Sequence, residues 1–325
     1  KFFMKLLSIV FSFRNEEQNL AELIQRTVKT VNSLNNWKYE LIFVNDDSND
    51  NSEKILIDHQ KKFPIKIINM SRRFGVGPCV LAGLQESKGD AVVYMDSDLQ
   101  DPPEIISELV RKYEKDIDVV HTKRTKRFGE NKIKLFLTKI AYRVINLTSS
   151  IPLPVDAGDF KLLSRRAVNH VNGLNEYNPY VRGLTVWVGF KQDIVEYERQ
   201  SRYAGRSKFP SLLSISYWHG ATSEFVRGIT GYSTGPLYLG IFIGLLSILF
   251  AIILIVYTFY IKLIGEAVPG SSGIIITISF FSGMILTTIG ITGLYIARIY
   301  EQTQGRPKYI IKNIIESKNK DNNSV

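Results

Sequence analysis

The alternation of apolar and polar positions divides the N-terminal part of the chain into repeating units. Apolar, β-prone runs at residues 6–13, 40–45, 65–70, 91–96 and 118–122 are separated by helical spacing at 17–34, 51–63, 76–87 and 103–115. Strand and helix alternating four times predict an α/β fold: a Rossmann-like, mostly parallel sheet with right-handed crossovers and helices on both faces. Ligands in such sheets bind beyond the carboxyl ends of the strands. The polar stretches that follow the strands, "SFRNEE", "NDDSND", "SRRFG" and "DSDLQD", are therefore expected on one rim.

Beyond residue 122 the pattern changes. Residues 131–149 and 211–226 place apolar side chains at helical spacing and are expected to be amphipathic helices lying at a membrane surface. Two later runs, 237–261 and 273–297, contain no charged residue. Each exceeds the ~20 apolar residues a helix needs to cross the hydrocarbon core, which predicts a two-helix transmembrane hairpin. Arg227 precedes the hairpin, and Arg298, Arg306, Lys308 and Lys312 follow its second helix. By the positive-inside tendency both flanks are cytoplasmic, so a multi-pass plasma-membrane protein with a cytoplasmic N-terminal part is expected. The expected division is a cytoplasmic α/β domain at 1–210, an interfacial juxtamembrane helix at 211–231, the hairpin at 232–300 and a cytoplasmic tail at 301–325, polar from 318 onward.

Composition adjusts this picture only a little. The 325 residues carry a formal net charge of +10, read here as directed at a membrane with no nucleic-acid partner. The single cysteine, Cys79, cannot form an internal disulfide, in keeping with a reducing compartment. The start, "KFFMKLLSIVFSF", has the basic and apolar parts of a signal peptide, but "RNEEQNL" follows with no small-residue cleavage site, so a first strand is expected. No G-x-x-x-x-G-K-[ST] phosphate loop is present. "FGVGPCV" lacks the third glycine of a dinucleotide fingerprint and contains Pro78, so Gly75 and Gly77 are read as a tight turn into a helix. The four histidines show no metal-ligand spacing.

The chemistry gathers where residues 91–96 end. In Asp96-Ser97-Asp98 alternate residues of an extended segment point the same way, so both carboxylates can converge on one hard cation, and Gln100 continues the phase with a neutral oxygen. This incomplete oxygen set suits Mg²⁺ or Mn²⁺ that also takes phosphate oxygens and water, which makes a nucleoside diphosphate the expected cargo. Asp46 and Asp50 stand on the same rim.

Four stretches then carry a resemblance: "VNDDSNDNS" at 44–52, "MDSDLQDPPE" at 95–104, "DAGDFKLLSR" at 156–165 and "RQSRYAGRSK" at 199–208. The chain resembles the family 2 glycosyltransferases of GT-A fold, in the polyprenyl-phosphate branch that includes bactoprenol glucosyltransferases and dolichyl-phosphate mannose synthase. The resemblance runs from about residue 6 to the end. It implies nucleotide contacts from Glu16, Asp46, Ser48 and Asp96, and metal contacts from Asp96, Asp98 and Gln100. Asp98, Asp159, Lys161 and Arg124 would serve catalysis, the two cations stabilising the leaving diphosphate. Asp159 would orient the sugar or acceptor rather than act as an obligatory base. Arg199, Arg202, Ser207 and Lys208 would hold the acceptor phosphate.

The implied reaction moves a sugar, with inversion, from a nucleotide sugar (UDP-glucose or another UDP-hexose) to polyprenyl phosphate, in cell-envelope glycosylation. Relatives of this kind assemble as tetramers, so a homo-oligomer is an open expectation. Three departures stand out. Arg14 occupies the tyrosine position of P-x-Y-N-E, Asp47 replaces the glycine of N-D-G-S, and Lys161 replaces arginine. A non-catalytic membrane-anchored nucleotide-sugar-binding or scaffold protein is the competing reading. A processive synthase is disfavoured, because no Q-x-x-R-W element is present.

Overall fold

The computed structural model describes residues 4–127, 143, 157–177, 179–200, 203, 230–265 and 270–316. The expected helices at 131–149 (Arg143 apart) and 211–226, the residues Arg202, Ser207 and Lys208, and the tail from 318 lie outside the described residues.

The βα repeat forms as the periodicity predicts. β1 (Lys5–Phe13), α1 (Leu20–Asn32), β2 (Trp37–Asn45), α2 (Ser52–His59), β3 (Ile65–Met70), α3 (Val76–Glu86) and β4 (Ala91–Asp96) follow one another, and a 3-10 turn at Pro103–Ile105 leads into α4 (Ile106–Tyr113) and β5 (Val119–Arg127). β1 is central and buried on both faces. Ile9, Phe11 and Phe13 pack in the core under α1 and α4, with the Phe11 ring stacked on Phe43 at 4.7 Å, while Val10 faces α3. Gly83 permits that helix to sit close, since a Cβ there would meet Val10 Cγ1 at 2.2 Å.

Three strands extend the sheet: β6 (Ala157–Ser164), β7 (Gln192–Arg199) and β8 (Ile311–Glu316), with α5 (Arg165–Gly173) and α6 (Val181–Trp187) between the first two. The strand order is β7-β5-β6-β4-β1-β2-β3-β8. β1 pairs in parallel with β2 and β4, β2 with β3, and β5 with β7, while β6 and β8 run antiparallel to their neighbours. The fold is thus the expected mostly parallel α/β sheet, with one difference. β5 does not adjoin β4, because β6 is inserted antiparallel between them. That insertion brings the N-terminal end of β6, with Asp159, to the rim where β1–β4 end. β8 comes from the stretch read as a tail. It covers the edge of β3, where Ile310 O accepts from Ser71 N at 2.9 Å and Lys66 Nζ meets Glu316 at 2.9 Å.

α7 (Gly235–Leu263) and α8 (Ser271–Thr303) contain the two uncharged runs and extend past them, to Lys262 in α7 and to Arg298 and Glu301 in α8. Both are long and apolar enough to cross a membrane, and almost none of their apolar surface is buried within the protein. Ile241, Ile255, Phe259 and Leu286 are each more than half exposed. Such a continuous apolar surface calls for a non-aqueous cover. The foot of this hairpin is tied to the sheet domain. Tyr295 Oη donates to Ser233 O at 2.7 Å, Arg298 Nη1 to Thr230 Oγ1 at 3.1 Å, and Arg298 Nη2 lies 3.5 Å from Glu176. Gln302 accepts from Tyr177 N at 2.8 Å.

Candidate active site

Four parallel strands end at the same rim, and the loops behind them are held together by hydrogen bonds between neighbours. After β1 and β2, Asn15 N donates to Ser48 Oγ at 3.0 Å and Asn49 N returns a bond to Asn15 Oδ1 at 2.9 Å. Glu16 is buried, with its backbone N–H on Ser52 Oγ and its carboxylate accepting from Asn19 Nδ2. Asp46, also buried, accepts from the backbone N–H groups of Phe74 (2.6 Å) and Gly75 (3.2 and 3.1 Å). Its carboxylate thus shapes the loop that leads into α3. Gly75, at φ +94°, makes the turn expected of it.

Asp47 explains one of the sequence departures. It has φ +59°, the left-handed region, where aspartate is among the few non-glycine residues tolerated. The position is exposed, so the backbone angle decides what fits there. Asp47→Gly should leave thermal stability nearly unchanged, whereas Asp47→Val should lose about 1–2 kcal/mol in denaturant titration.

At the end of β4, Asp96 and Asp98 are both partly exposed, and Gln100 N donates to Asp98 Oδ1 at 3.2 Å. Between them and Gln100 the chain takes an unusual form: Leu99 is buried at φ +59°. A branched apolar side chain held there carries strain of about 1–2 kcal/mol. What holds it is Asp101, two residues on. Asp101 is 1% exposed and takes Arg124 Nη2 at 3.3 Å, Arg199 Nε at 3.5 Å and a short hydrogen bond from Tyr197 Oη. Arg124 Nε donates to Tyr197 Oη at 3.1 Å, and Gln200 N to Gln100 O at 3.0 Å. Burial opposes the Arg124 charge, but Asp101 and Tyr197 outweigh it and hold the guanidinium protonated. The loop 97–102 is therefore pinned to β5 and β7 by a buried carboxylate between two arginines.

β6 supplies the opposite wall. Tyr94 of β4 is in register with Lys161, and extending that register two places sets Asp159 level with Asp96. Asp159 is clasped by Arg182 of α6, whose Nε donates to Oδ1 at 2.7 Å while Nη2 makes a second, shorter bond to Oδ2. Burial raises the Asp159 carboxyl, but Arg182, then Lys161 and Arg124, bring it down to about 2. The clasp thus keeps the carboxylate ionised. Lys161 is 1% exposed and donates to Thr185 Oγ1 at 2.8 Å and Arg182 O at 3.4 Å. Burial, only partly offset by Asp159, lowers its ammonium to about 7. Lys161 therefore supports α6 through Thr185 and the Arg182 carbonyl.

The structure thus brings Asp96, Asp98, Gln100, Arg124, Asp159 and Arg199 to one rim, with Glu16, Asp46 and Ser48 on its β2 side. Arg124 and Arg199 share Asp101, a residue inside a quoted motif but not singled out from it. Arg182 and Tyr197 had no motif or spacing signal. They are recognisable only once α6 and β7 have folded against β6 and β5.

An acidic pair at a parallel-strand end, facing a wall of cations across a mostly parallel sheet, is an arrangement suited to a glycosyltransferase, and the comparisons with known proteins agree. Residues 8–171 match glycosyl transferase family 2, and the chain belongs to that family. It is 39% identical to "Uncharacterized glycosyltransferase YkcC" of Bacillus subtilis, over 96% of this chain and 95% of that one. It is 36% identical to "Bactoprenol glucosyl transferase" of Shigella phage SfV, over 94% and 98% of the two chains. Among solved structures, glucosyl-3-phosphoglycerate synthase from Mycobacterium tuberculosis in complex with Mn²⁺, UDP and phosphoglyceric acid shares the fold, with TM-score 0.50 and 18% identity over 70% of this chain and 76% of that one.

Proposed function

We propose that the protein transfers a hexose from a UDP-sugar, UDP-glucose or a close relative, to the phosphate of a polyprenol such as undecaprenyl phosphate. The reaction would run at the cytoplasmic face of the plasma membrane with inversion at the anomeric carbon. The observation that supports this reading best is the end-to-end similarity to bactoprenol glucosyl transferases, sheet domain and apolar hairpin together, at 36% identity.

The residues at the β4 end fit a divalent metal of one kind. Among the described residues no group of three or more His, Cys, Asp or Glu side chains forms a metal cage. Two carboxylates, Asp96 and Asp98, with the Gln100 amide oxygen suit a hard ion that completes its shell with phosphate oxygens and water, and do not suit a closed structural site. A bound Mg²⁺ or Mn²⁺ would supply charge neutralisation on the leaving diphosphate. The rest falls to the chain. Arg124, kept protonated beside Asp101, adds fixed positive charge on the leaving-group side. Asp159, kept ionised by Arg182, is placed to accept a hydroxyl hydrogen bond and orient the sugar or acceptor. The acceptor, a phosphate monoester with a second pKa near 6, is largely dianionic at neutral pH, so it needs little help from a base. Arg202, Ser207 and Lys208 would grip that phosphate at headgroup depth, with anion-binding backbone at Gly205.

The experiment is a screen of nucleotide sugars against undecaprenyl phosphate in detergent or nanodiscs, with glycolipid product and UDP release as readouts. A glycolipid formed only with the correct sugar and a divalent ion is the expected result. Nucleotide-sugar binding without transfer would favour the scaffold reading. Topology offers a second check. In a Cys79→Ser background, cysteine at Ser271 should react with an impermeant thiol reagent in intact cells, and cysteine at Ser317 should not. The reverse labelling would place the donor site on the wrong side of the membrane.

A further inference from the structure

Arg182 belongs to no motif that the transfer reaction accounts for, yet it makes a two-bond clasp on Asp159 at the rim. Its own position is set from the membrane side. α6 is seven residues long, too short to hold a geometry by itself. One residue after Arg182, Gly183 lies so close to Tyr232 that a Cβ there would stand 2.2 Å from the ring Cε2 and 2.8 Å from the hydroxyl. Tyr232 is buried, donates to Tyr180 O at 3.3 Å and packs against the Tyr180 ring at 6.1 Å. Three residues further on, α7 begins. Arg298 of α8 holds the preceding residues, bonding Thr230 and crowding Gly231, where a Cβ would meet Nη2 at 3.1 Å. A continuous set of contacts therefore runs from the hairpin foot through Tyr232 and α6 to the Asp159 carboxylate.

Resting on the proposed transfer to a lipid phosphate, we propose that Arg182 is a positioning residue for that reaction and that the hairpin foot, through Tyr232 seated on Gly183, sets where it stands. The hairpin is then more than an anchor: seating it completes the wall of the site that faces the acceptor. Asp159 is faced by Arg182 from α6, Lys161 from its own strand, Arg124 from β5, and Tyr94 and Asp96 from β4, and Arg182 is the one that donates two hydrogen bonds to the half-buried carboxylate.

The test uses the full chain in nanodiscs, after wild type has been seen to form glycolipid; a wild type that does not would refute the functional reading itself, separately from this inference. Arg182→Gln should lower kcat by about 10²-fold, the cost of a misplaced reacting group, while UDP affinity measured calorimetrically with Mn²⁺ stays within about twofold. Without Arg182 the carboxylate loses both bonds that fix its direction, so the loss should fall on kcat and leave nucleotide binding untouched. Arg182→Lys should recover part of the kcat loss, because it keeps the charge and loses the fork. Gly183→Ala should lower kcat in the same direction, and so should Tyr232→Leu, which removes the ring without crowding. Gly173→Ala, where an added methyl meets nothing within 4 Å, should behave as wild type. If Arg182→Gln keeps the wild-type kcat and loses only thermal stability, or if Arg182→Lys restores nothing, the positioning role is refuted. Unchanged kcat in both Gly183→Ala and Tyr232→Leu would remove the link to the hairpin.

Discussion

Asp98→Asn is expected to lose about 10²–10³-fold in kcat while the protein keeps its melting temperature within a few degrees. The separation of the two effects comes from the geometry. Asp98 is partly exposed, and its structural task is to accept the Gln100 N–H at 3.2 Å. Asparagine keeps that oxygen and therefore the turn. What it removes is one negative charge from a pair, and a divalent ion held by two carboxylates and an amide depends on that charge more than on shape. Asp98→Ala should lose as much activity and, in addition, the hydrogen bond that closes the turn, worth about 0.5–1.5 kcal/mol. Chelation of the wild type with EDTA should mimic the activity loss and leave the fold intact, because Asp101, not the metal site, holds the loop. Near-normal turnover of Asp98→Asn, or undiminished wild-type turnover in EDTA, would show that the β4 carboxylates serve something other than a metal-bound diphosphate.

How far the sequence foretold this site depends on the range of the interactions involved. The βα units were legible because each is local: apolar runs such as Val92–Met95 bound a strand, and Gly75 at φ +94° marks the entry to a helix. Asp96 and Asp98 were legible as a pair because they stand two apart where a strand ends, although the extended phase expected through Gln100 stops at Asp96, and 97–100 turn away with Leu99 at positive φ. Asp47 reads as a departure in sequence and as a regular feature in structure, since aspartate can occupy the left-handed angle that a glycine would take. Lys161 was expected to be a cation at the diphosphate; it lies instead behind Asp159, on Thr185 and the Arg182 carbonyl. The local pattern could not reveal that, because β6 is an antiparallel insertion and its register with β4 and β5 decides which side chains face the rim. Arg182, Tyr197 and Tyr232 were unreadable in the same way. Each is an ordinary residue whose partner lies 23 to 96 positions away or at the foot of the hairpin. β8 was not readable because a six-residue strand after a long apolar helix has no repeat around it, and its partner β3 stands some 245 residues earlier in the chain.

Asp101→Ala should be the most destabilising single change at the rim, at about 3–5 kcal/mol, because removing one member of a buried charge cluster leaves the others uncompensated. The side chain is 1% exposed and faces Arg124 and Arg199, whose side chains are only 11% and 16% exposed. Without the carboxylate, two guanidiniums remain in a confined space with the Tyr197 hydroxyl as the neutral group among them. Arg124 has little room to withdraw, since it already presses on Gly158, where an added Cβ would meet Nη2 at 3.0 Å. The loss should extend to catalysis through Leu99. That buried residue persists at φ +59° only while its surroundings over-determine it, and Asp101 is the fixed point two residues away. Once released, the segment relaxes and Asp98 and Gln100 lose their fixed positions. Asp101→Asn should fall between, keeping the Tyr197 hydrogen bond and losing the charge. A coupled substitution separates the causes: Asp101→Asn with Arg199→Gln removes one uncompensated cation and should recover stability relative to Asp101→Asn alone, while activity stays low. Thermal unfolding in detergent with parallel UDP-release assays reads both quantities. An Asp101→Ala protein that melts within about 1 °C of wild type, where a loss of this size corresponds to several degrees, would mean that the arginines find solvent or another anion, and that the loop carrying Asp98 is held by something other than this carboxylate.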